Sequence, residues 1–169
     1  MTLEDIDDVY KYSDWANQKL MKVIEGLGPE EFTARVGGPF ESIRTTLVHM
    51  LNAEWGWLAR CGGAERGPRL DPDNFPALAS ISETWSMVQR YRREFLASTK
   101  DEDVLRMITY YNDNNEPRSL PLGELMQHAA NHNAHHRGQV SLMLRILGHT
   151  PGNVDQLFYH GERRGVPVW

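Results

Sequence analysis

The sequence predicts an all-α fold, a four-helix bundle, and three observations carry that prediction. Four separate segments place apolar residues at helical spacing, each closed by glycine or turn chemistry. A long connection rich in Pro, Gly and Asp, about residues 60–79, allows a crossover between helices that are not antiparallel neighbours. Residues 104–120 supply β-branched and aromatic residues around an Asn-rich turn, enough for one small hairpin and no larger sheet. At 169 residues the chain suits a single domain, 1–169, with its own core.

Taken in order, Thr2 and Asp5 form a capping-box pattern with Asp in place of Glu. From there to about Glu25, the residues Ile6, Val9, Tyr12, Trp15, Ala16 and Leu20 recur on one helical face. Gly26 and Gly28 close this helix, Glu30–Phe32 has room for a short helical turn, and Gly37-Gly38-Pro39 breaks the chain again. Ser42 is the expected N-cap of a second helix, about Ile43–Arg60, closed by Gly62-Gly63. Its apolar stripe is Ile43, Leu47, Leu51 and Leu58. His49 lies almost opposite, on a face of small, nearly uncharged residues that either borders a cavity or is plain surface. Ser80 or Ser82 is expected to start a third helix running to Ser98. Trp85, Val88, Phe95 and Leu96 face its core, and Arg90, Arg92 and Arg93 face water.

A hairpin over Val104–Tyr111 and Arg118–Leu120 precedes Pro121, which opens the last long helix, Leu122–Leu147. Gly148 and Pro151 stop that helix. The tail retains Leu157, Phe158, Tyr159 and Trp169 and is expected to pack back on the body.

The last helix carries the chemistry. It holds four histidines: His128, His132, His135 and His136. His132 and His136 are four apart, so they stack on one face, the face that also holds Leu125, Ala129, Val140 and Met143. Two inward imidazoles at this spacing can offer a metal two nitrogen ligands. The plainer alternative is a pair of buried histidines, each satisfied by its own hydrogen bond. A third ligand from His128 is strained, because His128 and His136 lie about 12 Å apart along the axis at 1.5 Å per residue. A ligand from another helix fits better. His49 is the only histidine in the first three helices and the natural candidate, with His149 and His160 in the tail as alternatives that spacing does not remove. Gln139, one turn past His136, could reach a metal-bound water or simply pack. His135 points to one side, toward the surface or the outer edge of the site.

Composition narrows the functional classes. The net charge of −5 and the absence of a basic run argue against nucleic acid as a partner. No apolar stretch is long enough to span a bilayer, so no membrane association is expected. The single cysteine, Cys61, excludes an internal disulfide and reads as an incidental thiol. The acidic opening does not look like a signal peptide, and the expectation is a cytoplasmic protein.

The block His132-Asn-Ala-His-His136-Arg137-Gly138-Gln139-Val140 resembles the closing motif of the DinB family of metal-dependent proteins. Tyr12, Trp15-Ala16-Asn17 and Leu20 match the family's opening block. His49, within Leu47-Val-His49-Met-Leu-Asn-Ala-Glu-Trp55, matches its second-helix histidine. The resemblance covers nearly the whole chain and is poorest around Gly62–Pro76. It implies up-down-down-up helix order and a homodimer. It also implies a divalent metal held by His49, His132 and His136, with water in the remaining positions. Zinc or nickel is the favoured metal, with iron or copper as alternatives. Relatives in the wider superfamily are thiol S-transferases and a thiol-dependent isomerase that use small cellular thiols such as bacillithiol or mycothiol. The resemblance therefore implies a metal-dependent transferase passing a thiol to a small electrophilic substrate. A hydrolase, or a non-catalytic metal-binding protein of the stress response, is the alternative. The family name records induction by DNA damage and implies no DNA binding.

Overall fold

A computed structural model of the chain describes residues 1–64, 67–112 and 114–168. Four long helices form the bundle: α1 (Leu3–Ile24), α3 (Ile43–Gly62), α4 (Leu78–Ser98) and α5 (Leu122–Ile146). Two short helices, α2 (Pro29–Thr33) and α6 (Gln156–Arg164), one hairpin, β1 (Met107–Tyr111) with β2 (Pro117–Pro121), and two 3-10 turns, Pro72–Asn74 and Asp101–Leu105, complete the regular structure of the described residues; the second turn takes Val104, which the sequence placed in the first hairpin strand.

Local chemistry sets the helix ends where the sequence placed them. Thr2 accepts from the Asp5 N–H at 3.2 Å, and the Asp5 carboxylate accepts from the Thr2 N–H at 2.8 Å, satisfying two donors that α1 would leave orphaned. Ser42 caps α3 in the same way, accepting from the Thr45 N–H at 3.2 Å. Gly63 ends α3 in the left-handed region at φ 69, a conformation that costs a residue with a Cβ. The third long helix begins earlier than expected, at Leu78, with Ala77 at its N-cap and no side-chain cap. Packing of Leu78 and Ile81 on the core extends it past the two serines.

The order and direction of the helices follow from which residues meet. Tyr10 and Arg137 link α1 to α5 in ascending order: Tyr10 donates to the Met126 carbonyl at 3.0 Å and Arg137 to the Ser13 hydroxyl at 2.8 Å, so these two helices run parallel. The α3 and α5 helices run antiparallel, with Trp57 against His128 and Thr46 against Met143. The α1 and α4 helices are also antiparallel, with Asp14 meeting Gln89 and Met21 meeting Ser82. The order is therefore up-down-down-up, and the 64–77 connection is the crossover that lets α3 and α4 run the same way.

The core is made by the expected stripes, including Ile6, Tyr10, Leu20, Leu47, Leu51, Trp85, Leu125 and Val140, all buried. Each such aliphatic side chain contributes about 1.5–3 kcal/mol relative to an exposed position. The hairpin pairs Met107 with Pro121 through Tyr111 with Pro117 and buries Ile108. No helix among the described residues is long and apolar enough to cross a membrane.

Two expectations are corrected. Arg92 does not face water. It is 2% exposed, on the same stripe as Ile81, Trp85 and Val88, because two carboxylates await it inside. The tail forms a helix, α6, which the sequence reading did not assign. Its packing back on the body holds for the described part: Tyr12 donates to the Val154 carbonyl at 3.0 Å, Trp15 donates to Glu162 at 2.7 Å, and Tyr159 is buried against both rings. Trp169 lies outside the described residues.

Candidate metal centre

The α5 helix presents His132 and His136 one turn apart, with ring centroids 4.4 Å apart. The antiparallel α3 helix brings His49 against the same point. The His49 Nε2 lies 3.0 Å from the His132 Nε2, and the His136 Nε2 lies 3.1 Å from it. One ligand atom from each of the three lies within 4.8 Å of the others. These are the residues the family resemblance implied, and the fold brings all three together. His149 is elsewhere, bonded to Glu31 at 2.9 Å, and His160 sits in α6. His128 is exposed, edge-on to Trp57, and is not part of the cluster. His135 is exposed as well.

The donor chemistry fits a cation. A neutral imidazole carries one N–H. The His136 Nδ1 lies 2.8 Å from the Gln139 Oε1, an acceptor, so its proton belongs on Nδ1 and its Nε2 offers a lone pair. His132 has Nε2 neighbours on two sides but at most one proton there, so it cannot satisfy both. The His49 Nδ1 is buried without a partner among the described residues. Nitrogens about 3 Å apart are what one ion with bonds of about 2.0–2.1 Å holds around itself. Such an ion would turn three mutually repelling lone pairs into ligands.

The surroundings keep the rings neutral. Burial, and then the neighbouring imidazoles, pull the basicity of His49 and His132 down to about 4. Burial also lowers His136, against the opposing hydrogen bond from Gln139. Neutral imidazoles are the metal-binding form. His136 is buried while His49 and His132 are half-buried, so the cluster is reachable from solvent.

Three more residues shape the site; Phe40 and Asn133 were not picked out from sequence, and Gln139 was picked out for a different role. Phe40 stacks on His49 with centroids 4.0 Å apart and meets His136 edge-on at 5.3 Å. It is delivered by the loop before α3, which turns through Gly37, Gly38 and Glu41 at positive φ and is tied down where Thr45 donates to the Phe40 carbonyl. Gln139 does not stand free to meet a water. It accepts from His136 and lies 3.2 Å from the His135 Nε2, so it fixes the ring it touches. Asn133, next to His132, turns the other way and donates to the buried Glu54 at 2.8 Å. The Glu54 signal was present in sequence as an acid amid the buried positions of α3, and nothing local distinguished it from a surface glutamate.

Bundle and site together define a helical protein with a three-histidine centre positioned for metal binding. A sequence profile of the DinB family matches residues 2–165, and the chain belongs to that family. Protein DinB of Bacillus subtilis (strain 168) is 24% identical over 156 residues, spanning 89% of this chain and 91% of that protein. The crystal structure of a DinB-like protein from Bacillus cereus ATCC 10987 superposes with a TM-score of 0.76 at 20% identity, covering 91% of this chain and 98% of that one. That likeness establishes the shared fold.

Proposed function

We propose that His49, His132 and His136 hold a divalent metal ion, zinc or nickel before iron or copper, in an enzyme that transfers a small thiol to an electrophilic substrate. The observation that carries this reading is the convergence of three neutral Nε2 atoms from two antiparallel helices, with spacings of 3.0 and 3.1 Å. When bound, a divalent ion there lowers the pKa of a thiol or water sharing it and polarises an electrophile. The chain's own residues do the rest. Gln139 fixes the His136 tautomer so that Nε2 faces the centre. Phe40 covers one side of His49 and excludes water from it.

Three protein ligands leave positions open for a reactant, which favours an enzyme over a closed structural site. Thiol transfer is preferred to hydrolysis because, among the described residues, no carboxylate belongs to the imidazole cluster to serve as a base for water. Cys61 is not the nucleophile: it is buried, and burial pushes its thiol up to about 11. The proposal includes action in the cytoplasm as a homodimer. Leu142 and Ile146, exposed one turn apart on the outer face of α5, offer apolar surface for a second copy.

Metal analysis of the purified protein tests the first step. Stoichiometric metal in the wild type and its loss in His132→Ala is the expected result; equal metal in both sinks the assignment. A panel of electrophiles offered with different small thiols tests the reaction, and hydrolysis without thiol consumption would favour the alternative. Light scattering tests the dimer.

A further inference from the structure

The crossover loop after α3 is fastened beside the imidazole cluster with unusual care. Asn52, buried and three residues past His49, donates to the Leu70 carbonyl at 2.9 Å and accepts from the Leu70 N–H at 2.8 Å. Asp71 caps the turn that follows, accepting from the Asp73 N–H at 3.0 Å, and Asp73 accepts from Arg44 at 2.9 Å. The position this clamp fixes is that of Arg69. Its side chain lines a cavity of about 250 Å³ together with His49, Phe40, Thr45 and Asn52. Among the described residues, Arg69 has neither a carboxylate partner nor a hydrogen bond. A second cation beside an expected metal ion is repulsive unless something negative lies between them.

Building on the metal reading above, we propose that Arg69 is a specificity-determining residue: it receives the carboxylate of a small anionic reactant that occupies the His49 cavity. The guanidinium offers a planar fork suited to a carboxylate. The cavity is lined on its other sides by Phe40, Val48 and Leu70, which suit a short apolar linker, and by Glu41, whose carboxylate is paired with Arg35. The crossover loop thus selects the reactant while the helices hold the metal ligands. Asn52 is the positioning residue, acting through the Leu70 backbone.

The test uses full-length protein loaded with cobalt(II), whose visible absorption reports ligands entering the site. Two probes are titrated: 3-mercaptopropionate and its neutral counterpart 3-mercaptopropionamide. The quantity read is the ratio of their affinities. In the wild type the carboxylate probe is favoured, and Arg69→Gln lowers that ratio about fivefold to tenfold, the scale of one charge-assisted hydrogen bond. Cobalt uptake and affinity for the amide stay unchanged, and Arg69→Lys recovers part of the preference. Asn52→Ala lowers the ratio with Arg69 still present. An unchanged ratio in Arg69→Gln, with cobalt bound normally, overturns the role of Arg69 and leaves the metal reading intact. Failure of the wild type to take up cobalt overturns the metal reading, and this inference with it.

Discussion

The polar cluster around Glu54 and the one around His132, both inside this bundle, are built on opposite plans. Around Glu54 both carboxylate oxygens are answered, and the Asn133 Oδ1 is the one buried atom of the group without a partner among the described residues. Trp85 donates to its carboxylate at 2.9 Å and Asn133 at 2.8 Å, Arg92 pairs with it, and Arg92 also reaches Asp14 at 2.5 Å. Burial pushes the Glu54 carboxyl up, and the Arg92 charge draws it back. Around His132, by contrast, three acceptors share one space with too few protons, and two of the rings are half-buried. The neighbouring residues His132 and Asn133 serve one cluster each. A charge-paired polar network stitches α1, α3, α4 and α5 together; a reachable cluster of acceptors short of protons is where a ligand belongs.

This contrast is breakable by experiment. The largest effect is expected at Glu54. Glu54→Ala leaves the Arg92 guanidinium, 2% exposed, with Asp14 as its one carboxylate and removes the acceptor of Trp85 and Asn133, and should cost about 3–5 kcal/mol of stability. Denaturant unfolding reads this directly, and a loss below about 1 kcal/mol would mean that the network is not the stitch described. Gln139→Ala should leave stability nearly unchanged and weaken metal binding about 10–100-fold, because the His136 ring loses the partner that sets its tautomer. Competition with a chromophoric chelator measures it; unchanged affinity would return Gln139 to a packing role.

The pH response sharpens the same distinction. The folded basicity of His49 and His132 is depressed to about 4 from an ordinary value near 6.5. Depression means that the neutral rings favour the fold. Their contribution is complete above about pH 6.5 and is lost as pH falls through about 4, where the unfolded chain binds more protons. Metal-free protein should therefore become less stable over this window, and His49→Ala should flatten that dependence. Thermal melts between pH 4 and 7 decide it, and identical slopes would show that the rings are not strained by burial. The smallest effect is at Cys61, whose buried thiol should react with a thiol reagent only on unfolding. Rapid labelling of native protein would contradict this.

Part of this molecule was legible residue by residue. Capping at Thr2 and Ser42 and the i, i+4 histidines are local patterns, and each stands where its spacing put it, while the hairpin forms with a first strand shorter than expected, Met107–Tyr111. His49 required more than periodicity, since spacing alone kept His149 and His160 in contention. Arg92 shows how such reading fails. Its register with Trp85 and Val88 was visible, but its charge argued for solvent, and only partners on α1 and α3 reverse that argument.

The sequence by itself determined the four long helices, the crossover and the histidine pair, because hydrophobic period, caps and breakers act within a few residues of one another. Only the tertiary structure decided that His49 meets that pair, that Gln139 holds a ring, that Arg92 is buried and that Arg69 stands at the cavity. Each of these depends on side chains brought together by packing between distant segments, and a burial cost or a missing partner has no local signature until that packing exists.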